Sequence, residues 1–261
     1  MEIQERINNY WSIRSDDFST CRRMDMEGPQ RKIWTDIIGE AVPVKNGLKA
    51  LDIGTGAGFF AFILTDMGFQ VTGIDYSKKM LENAEANSER LGYKGIKFLK
   101  MNAEELELDD ESFDLVISRN VTWTLPNPEK AYREWCRVLL PGGVIMNFDA
   151  NYGRDFKQAD EMGLTYKDMQ RYRSCSYNRP KQTKEMIRER NDIARELYIC
   201  SCTRPQWDVN VLIQNNIDKI TLDTDINRRI YQGAQISKEE DTNVERFPES
   251  KMFMICGIKQ K

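Results

Sequence analysis

The chain has 261 residues, with 38 basic against 41 acidic side chains and a formal net charge of −3. That balance, a pI near 5.4 and the lack of a dense Lys/Arg block interleaved with aromatics exclude an evident nucleic-acid footprint. No apolar run approaches membrane-spanning length, and Met1-Glu2-Ile3-Gln4-Glu5 has no signal-peptide character, so the expected location is cytoplasmic with no membrane partner. There is no histidine, which removes the commonest metal ligand and general base together. Six cysteines are scattered except for Cys200-Ser201-Cys202, and no second pair completes a metal site. Reduced thiols and no metal are therefore expected, in one domain with elaborations.

In chain order, residues 2–19 read as a helix with Ile3, Ile7, Tyr10, Trp11, Arg14 and Phe18 on one face. A second helix runs from Pro29 to about Ala41, burying Ile33, Trp34, Ile37 and Ile38. Leu48 to Ile53 is a short apolar run expected as a buried strand. It leads into Gly54-Thr55-Gly56-Ala57-Gly58, where alternate glycines let the backbone turn sharply and approach a ligand. A helix follows to Met67, with Gly68 as terminator, and then a strand from Gln70 to Ile74 that ends in Asp75-Tyr76. A carboxylate beside a glycine turn suits the two hydroxyls of a ribose, so the loop is built for an adenosine-type cofactor. The dinucleotide fingerprint fails because Phe59 occupies its third small position, and no Gly-Lys-Ser/Thr follows to make a phosphate loop.

Further along, alternating strands and helices argue for a parallel sheet. A strand from Val144 to Phe148 closes this pattern, and residues 151–204 turn polar, rich in Tyr, Arg and Met. A helix near Trp207 to Asn215, a strand near Lys219 to Ile226, a polar loop from Ser237 to Ser250 and a last strand from Met252 to Ile258 complete the chain.

These motifs resemble the class I S-adenosylmethionine (SAM) dependent methyltransferases, especially the small-molecule type that includes the ubiquinone and menaquinone biosynthesis enzymes. Besides the glycine loop, Met101-Asn102-Ala103-Glu104-Glu105-Leu106 resembles the family's adenine-contacting turn. Ser112-Phe113-Asp114-Leu115-Val116-Ile117-Ser118 resembles its fourth strand, and Trp135 to Gly143 its approach to strand five. The resemblance is strong from Lys49 to Ala150. It implies an α/β, Rossmann-like sheet of seven mostly parallel strands with an antiparallel last strand, helices on both faces, N-terminal helices and a helical lid insertion. The whole chain, 1–261, is then one methyltransferase domain: a cap (1–42), a SAM-binding core (43–150), a lid (151–204) and the end of the sheet (205–261).

The resemblance also distributes roles. Asp52, Gly54, Thr55, Gly56 and Gly58 would face the methionine part of SAM, Asp75 and Tyr76 the ribose, and Asn102-Ala103 the adenine. Asn102 stands where the family usually has Asp, and an amide oxygen can accept the same adenine amino group. Arg119 and Asn120 would lie near the sulfonium, with Tyr10 and Arg14 closing over SAM, Arg14 pairing with its carboxylate or with an anionic acceptor, or else packing with its helix on the sheet edge. Trp11, Phe18, Trp123, Tyr152, Tyr166 and Arg171 would line the acceptor pocket. Trp123 could equally be a hydrophobic plug, and Asp149 a solvated strand-end carboxylate. Asn120, Tyr152 and Asp149 are the candidate catalytic groups, with none assigned as base. Asn120-Val121-Thr122-Trp123 lacks the prolines of an amino-methylation motif. The expected activity is in-line methyl transfer from SAM, which leaves S-adenosylhomocysteine (SAH), to a small-molecule N, O or S acceptor by a monomer or homodimer. The alternatives are an RNA or protein methyltransferase and a non-catalytic SAM/SAH-binding protein.

Overall fold

A computed structural model describes residues 2–42, 46–153, 183–232 and 251–261. The elements are α1 (Ile3–Glu27), α2 (Gln30–Ala41), β1 (Lys49–Ile53), α3 (Phe59–Asp66), β2 (Gln70–Asp75), α4 (Lys78–Leu91), β3 (Lys97–Lys100) and β4 (Phe113–Arg119). They continue as α5 (Pro128–Val138), β5 (Leu139–Asp149), α6 (Lys184–Glu196), α7 (Gln206–Gln214), β6 (Ile217–Asp223), α8 (Asn227–Gln232) and β7 (Phe253–Lys259). Short 3-10 turns occupy Thr122–Thr124 and Tyr198–Ser201.

The strands form one sheet in the order β3-β2-β1-β4-β5-β7-β6. β1 through β5 pair in parallel, and β7 runs antiparallel to both β5 and β6. The strand order reverses between β1 and β4, and in open α/β sheets the crevice beyond such a switch point receives ligands. Strand periodicity divides the core. Leu115 and Ile117 of β4 face the layer of α2 and α3, whereas Val116 faces the layer of α5 and α7. A third cluster lies outside the sheet, where Ile7 and Tyr10 of α1 meet Ile193, Leu197 and Ile199 around α6.

Three boundaries differ from the sequence reading. α1 continues to Glu27 rather than stopping near residue 19, because Cys21 and Met26 prolong its buried stripe. β5 begins at Leu139, five residues early, since a register shift between Phe113 and Leu115 takes up the Pro141-Gly142-Gly143 segment. β6 ends at Asp223, past a register shift between Asp218 and Thr221, and Ile226 instead joins the core at the foot of α8. The expected Ser237–Ser250 loop and most of the insertion lie outside the described residues. Residues 183–204 of that insertion are α6 and the turn after it, with Thr183 capping α6 by accepting the Met186 N–H at 3.2 Å.

Candidate cofactor and methyl-transfer site

The first ligand-facing feature is the loop between β1 and α3. Gly54 has φ +63°, and a Cβ there would lie 2.4 Å from a Val121 methyl, so only glycine lets the β1 and β4 loops approach. Gly58 has φ +92° where α3 starts, and its added Cβ would meet the Phe62 ring at 2.5 Å. Beneath the loop, Asp52 is buried and accepts the Thr55 hydroxyl at 2.6 Å. Burial pushes the Asp52 carboxyl up to about 7, against the Thr55 and Ala61 hydrogen bonds that favour its charge. The Thr55 amide donates to the Ile74 carbonyl at 2.8 Å, tying the loop to β2.

Asp75, at the end of β2, accepts two backbone N–H groups, from Gly56 at 3.0 Å and Ser77 at 2.9 Å. Its surroundings raise it to about 6 by desolvation, opposed by those same N–H groups. The turn after β3 is braced from α5. The Trp135 indole N–H donates to the Ala103 carbonyl at 2.9 Å, and the Glu134 carboxylate accepts the Leu106 amide at 2.9 Å. The Asn102 amide oxygen accepts the Glu104 N–H at 2.9 Å, so one of its lone pairs is spent on the turn itself.

These segments line a cavity that is open to solvent. Of the residues assigned to the cofactor, Gly54, Gly56, Asp75, Tyr76, Asn102, Ala103, Arg119 and Asn120 line it. Asp52, Thr55 and Gly58 lie behind the loop and shape it. Tyr10 and Arg14 are not on the cavity wall; Tyr10 packs toward α6, and Arg14 donates to its hydroxyl. Arg119 stands within 5.0 Å of the Trp34 and Phe59 ring centroids, and its charge favours ionised Asp52. Asn120 adopts φ +59°, a left-handed geometry that asparagine tolerates, and its amide oxygen accepts the Tyr152 hydroxyl at 3.1 Å.

Of the acceptor-side set, Trp11 and Phe18 line the cavity. Trp123 is buried just behind it, 6.2 Å from Trp11 and 5.4 Å from Tyr152 between ring centroids. Tyr166 and Arg171 lie outside the described residues.

Asp149 requires a correction, since it is neither solvated nor on the cavity wall. It is fully buried, accepts the Trp123 N–H at 3.0 Å and pairs with Arg204 at 3.1 Å. Arg204 pairs in turn with Asp208 at 2.7 Å. Burial works against the Arg204 charge, but the two carboxylates prevail and its pKa is raised.

Sequence reasoning missed the α1 residues Gln4, Ile7 and Asn8 as cavity wall, and likewise Ser77, Met80, Met101, Val121, Thr124 and Leu125. Ile7 was placed on the correct face of α1 without a role. Asn8 buries its Oδ1 with no hydrogen-bond partner among the described residues. The Ser12 and Ser77 hydroxyls are hydrogen-bonded at 2.9 Å, which docks α1 beside the end of β2.

Comparison with known proteins agrees with this geometry. A family model described as a methyltransferase domain matches residues 44–192. A phosphatidylethanolamine N-methyltransferase of Cereibacter sphaeroides is 37% identical over 160 residues, 59% of this chain and 72% of that protein. A demethylmenaquinone methyltransferase of Bacillus pumilus is 33% identical over 120 residues, and this match spans 45% of the chain and 51% of the relative. Among solved structures, Haemonchus contortus phosphoethanolamine N-methyltransferase 2 in complex with SAM superposes with a TM-score of 0.57 at 16% identity. That match covers 87% of this chain and 52% of the other, and it shows the shared fold. The chain belongs to the methyltransferase-domain family and is a SAM-dependent methyltransferase of the class I, Rossmann-like type.

Proposed function

We propose that the chain transfers the methyl group in line to an N, O or S atom of a small-molecule acceptor, in a chamber roofed by α1. The observation that carries this reading is a shared cavity. Gln4, Ile7, Asn8, Trp11 and Phe18 of α1 form one wall of the space whose other walls are the glycine loop, Asp75 and the Asn102-Ala103 turn. The names of two relatives, which refer to phosphatidylethanolamine and demethylmenaquinone, are consistent with it.

The residues present fit SAM. Asp75 is held by two backbone N–H groups at the cavity wall, oriented to accept vicinal hydroxyls. Asn8 brings a buried oxygen that still needs a donor. When bound, SAM supplies a methyl group on a sulfonium that leaves as a neutral thioether. The protein's part is to align and to exclude water, which can account for most of the acceleration of a displacement. In this reading Asp75 and Tyr76 hold the ribose, the Asn102-Ala103 turn the adenine, and Trp11 and Phe18 keep water out. Arg119 and the left-handed Asn120 mark the end of β4 where the acceptor meets the cofactor. Asn120, which accepts the Tyr152 hydroxyl, is the polar group offered there, whereas Asp149 is committed to Trp123 and Arg204. With no histidine in the chain, an acceptor already deprotonated at its reacting atom needs least help.

The test is transfer of labelled methyl groups to panels of small amines, phenols and thiols, beside RNA and protein acceptors. Labelled small molecules with little salt dependence are expected. Labelling confined to RNA or protein, with steep loss in salt, would overturn the reading.

A further inference from the structure

The flank of α1 beside the cavity carries a buried cation that no carboxylate among the described residues neutralises. Arg14 is 8% exposed. One of its terminal nitrogens donates to the Tyr10 hydroxyl at 2.7 Å, and its guanidinium lies 5.2 Å from the ring centroids of both Tyr10 and Trp11. Its Nε–H is buried with no acceptor, and no carboxylate pairs with it among the described residues. Two other buried or nearly buried guanidiniums have carboxylate partners. Arg204 is clamped between Asp149 and Asp208, and Arg22 pairs with Asp25 at 2.8 Å. Ring faces offset part of the cost of burying a cation, but they accept nothing from an in-plane N–H, and a buried donor without a partner is costly.

Position narrows what the missing partner is. On α1, Ser12 touches Ser77 beside the end of β2. Arg14, two residues on, is rotated about 200° from it around the helix axis. It therefore flanks the cavity on the side away from the ribose-holding strand, behind the Trp11 ring that lines the cavity and faces Trp123. A guanidinium presents a fork of donors that matches a carboxylate or phosphate.

We propose that Arg14 receives an oxyanion carried by the methyl acceptor, which makes the acceptor an anionic small molecule with a carboxylate or phosphate ester. This rests on the small-molecule reading above. The Tyr10 hydroxyl orients the guanidinium, and the Tyr10 and Trp11 rings keep it dry, so that an arriving anion is met at low dielectric.

The experiment titrates inorganic phosphate into the SAH-saturated protein by calorimetry, for the wild type, Arg14→Gln and Arg14→Lys, with thermal unfolding of each recorded. Phosphate is expected to bind the wild-type complex, to bind Arg14→Lys about tenfold more weakly, and not to bind Arg14→Gln. SAH affinity should stay within about twofold throughout. Phosphate that fails to bind the wild type, or binds Arg14→Gln equally, overturns the proposal. A loss of SAH affinity in Arg14→Gln, with 5′-methylthioadenosine affinity unchanged, also overturns it, since the anion would then be the cofactor's own carboxylate. If Arg14→Gln does not fold, the wild-type and Arg14→Lys titrations decide. Failure of the small-molecule reading would appear in the acceptor panel instead, whereas phosphate binding reads Arg14 alone.

Discussion

Asp75 shows how one residue serves both fold and ligand. Its two backbone hydrogen bonds aim the carboxylate, and desolvation raises it to about 6. Asp75→Ala should leave the ribose hydroxyls unpaired and weaken SAH binding by about 2–3 kcal/mol, measured by calorimetry. Unchanged affinity would remove Asp75 from the ribose site. The raised values also set a pH dependence. In the folded, ligand-free protein Asp75 and Asp52 hold protons up to about 6 and about 7, whereas unfolded aspartates lose them near an ordinary value of about 3.9. The folded state thus binds more protons through that window, so these two groups lower stability as pH rises from about 4 to about 7. A ribose that donates to Asp75 favours the ionised form. The rise in melting temperature produced by SAH should therefore be larger at pH 7.5 than at pH 5, and a constant rise would contradict the assignment.

At the scale of elements, α1 is both roof and structural helix. Trp11 lines the cavity and meets Tyr10, Phe18 and Trp123 edge to face, while Ile7 and Tyr10 belong to the cluster with α6. Trp11→Ala should lower kcat by about tenfold or more through poorer alignment and water exclusion, with SAH affinity changed far less. A matching loss in SAH affinity would mean that Trp11 belongs to cofactor binding rather than to the roof. The loop after β4 is held from the other side by Asp149, through the Trp123 amide, and Asp149 by Arg204. Arg204→Met would strand two buried carboxylates and should cost about 3–5 kcal/mol in urea unfolding. A cost below about 1 kcal/mol would show that the network is solvated in solution.

For the whole molecule, the parts legible in the sequence were those set by local patterns. Glycine spacing, the apolar run from Leu48 to Ile53 and the acid closing β2 pointed to Gly54, Gly56 and Asp75, which line the cavity. The same local logic misjudged Asp149, whose surroundings come from Arg204 and Asp208, more than fifty residues away in the chain. It also shortened β5, because a bulge is a property of the pairing partner as much as of the strand. Asn8 and Ser77 had no motif to announce them, and they gained their places only when α1 docked beside β2. By itself, the sequence determined the sheet class and the glycine turn, because backbone conformation and strand periodicity are written in consecutive residues, and the family resemblance of its motifs supplied the cofactor. Tertiary structure alone decided which face of α1 walls the cavity, that Asp149 is a buried brace, and that no carboxylate among the described residues pairs with Arg14. Those outcomes depend on which distant side chains share a dry space, and sequence spacing does not encode that.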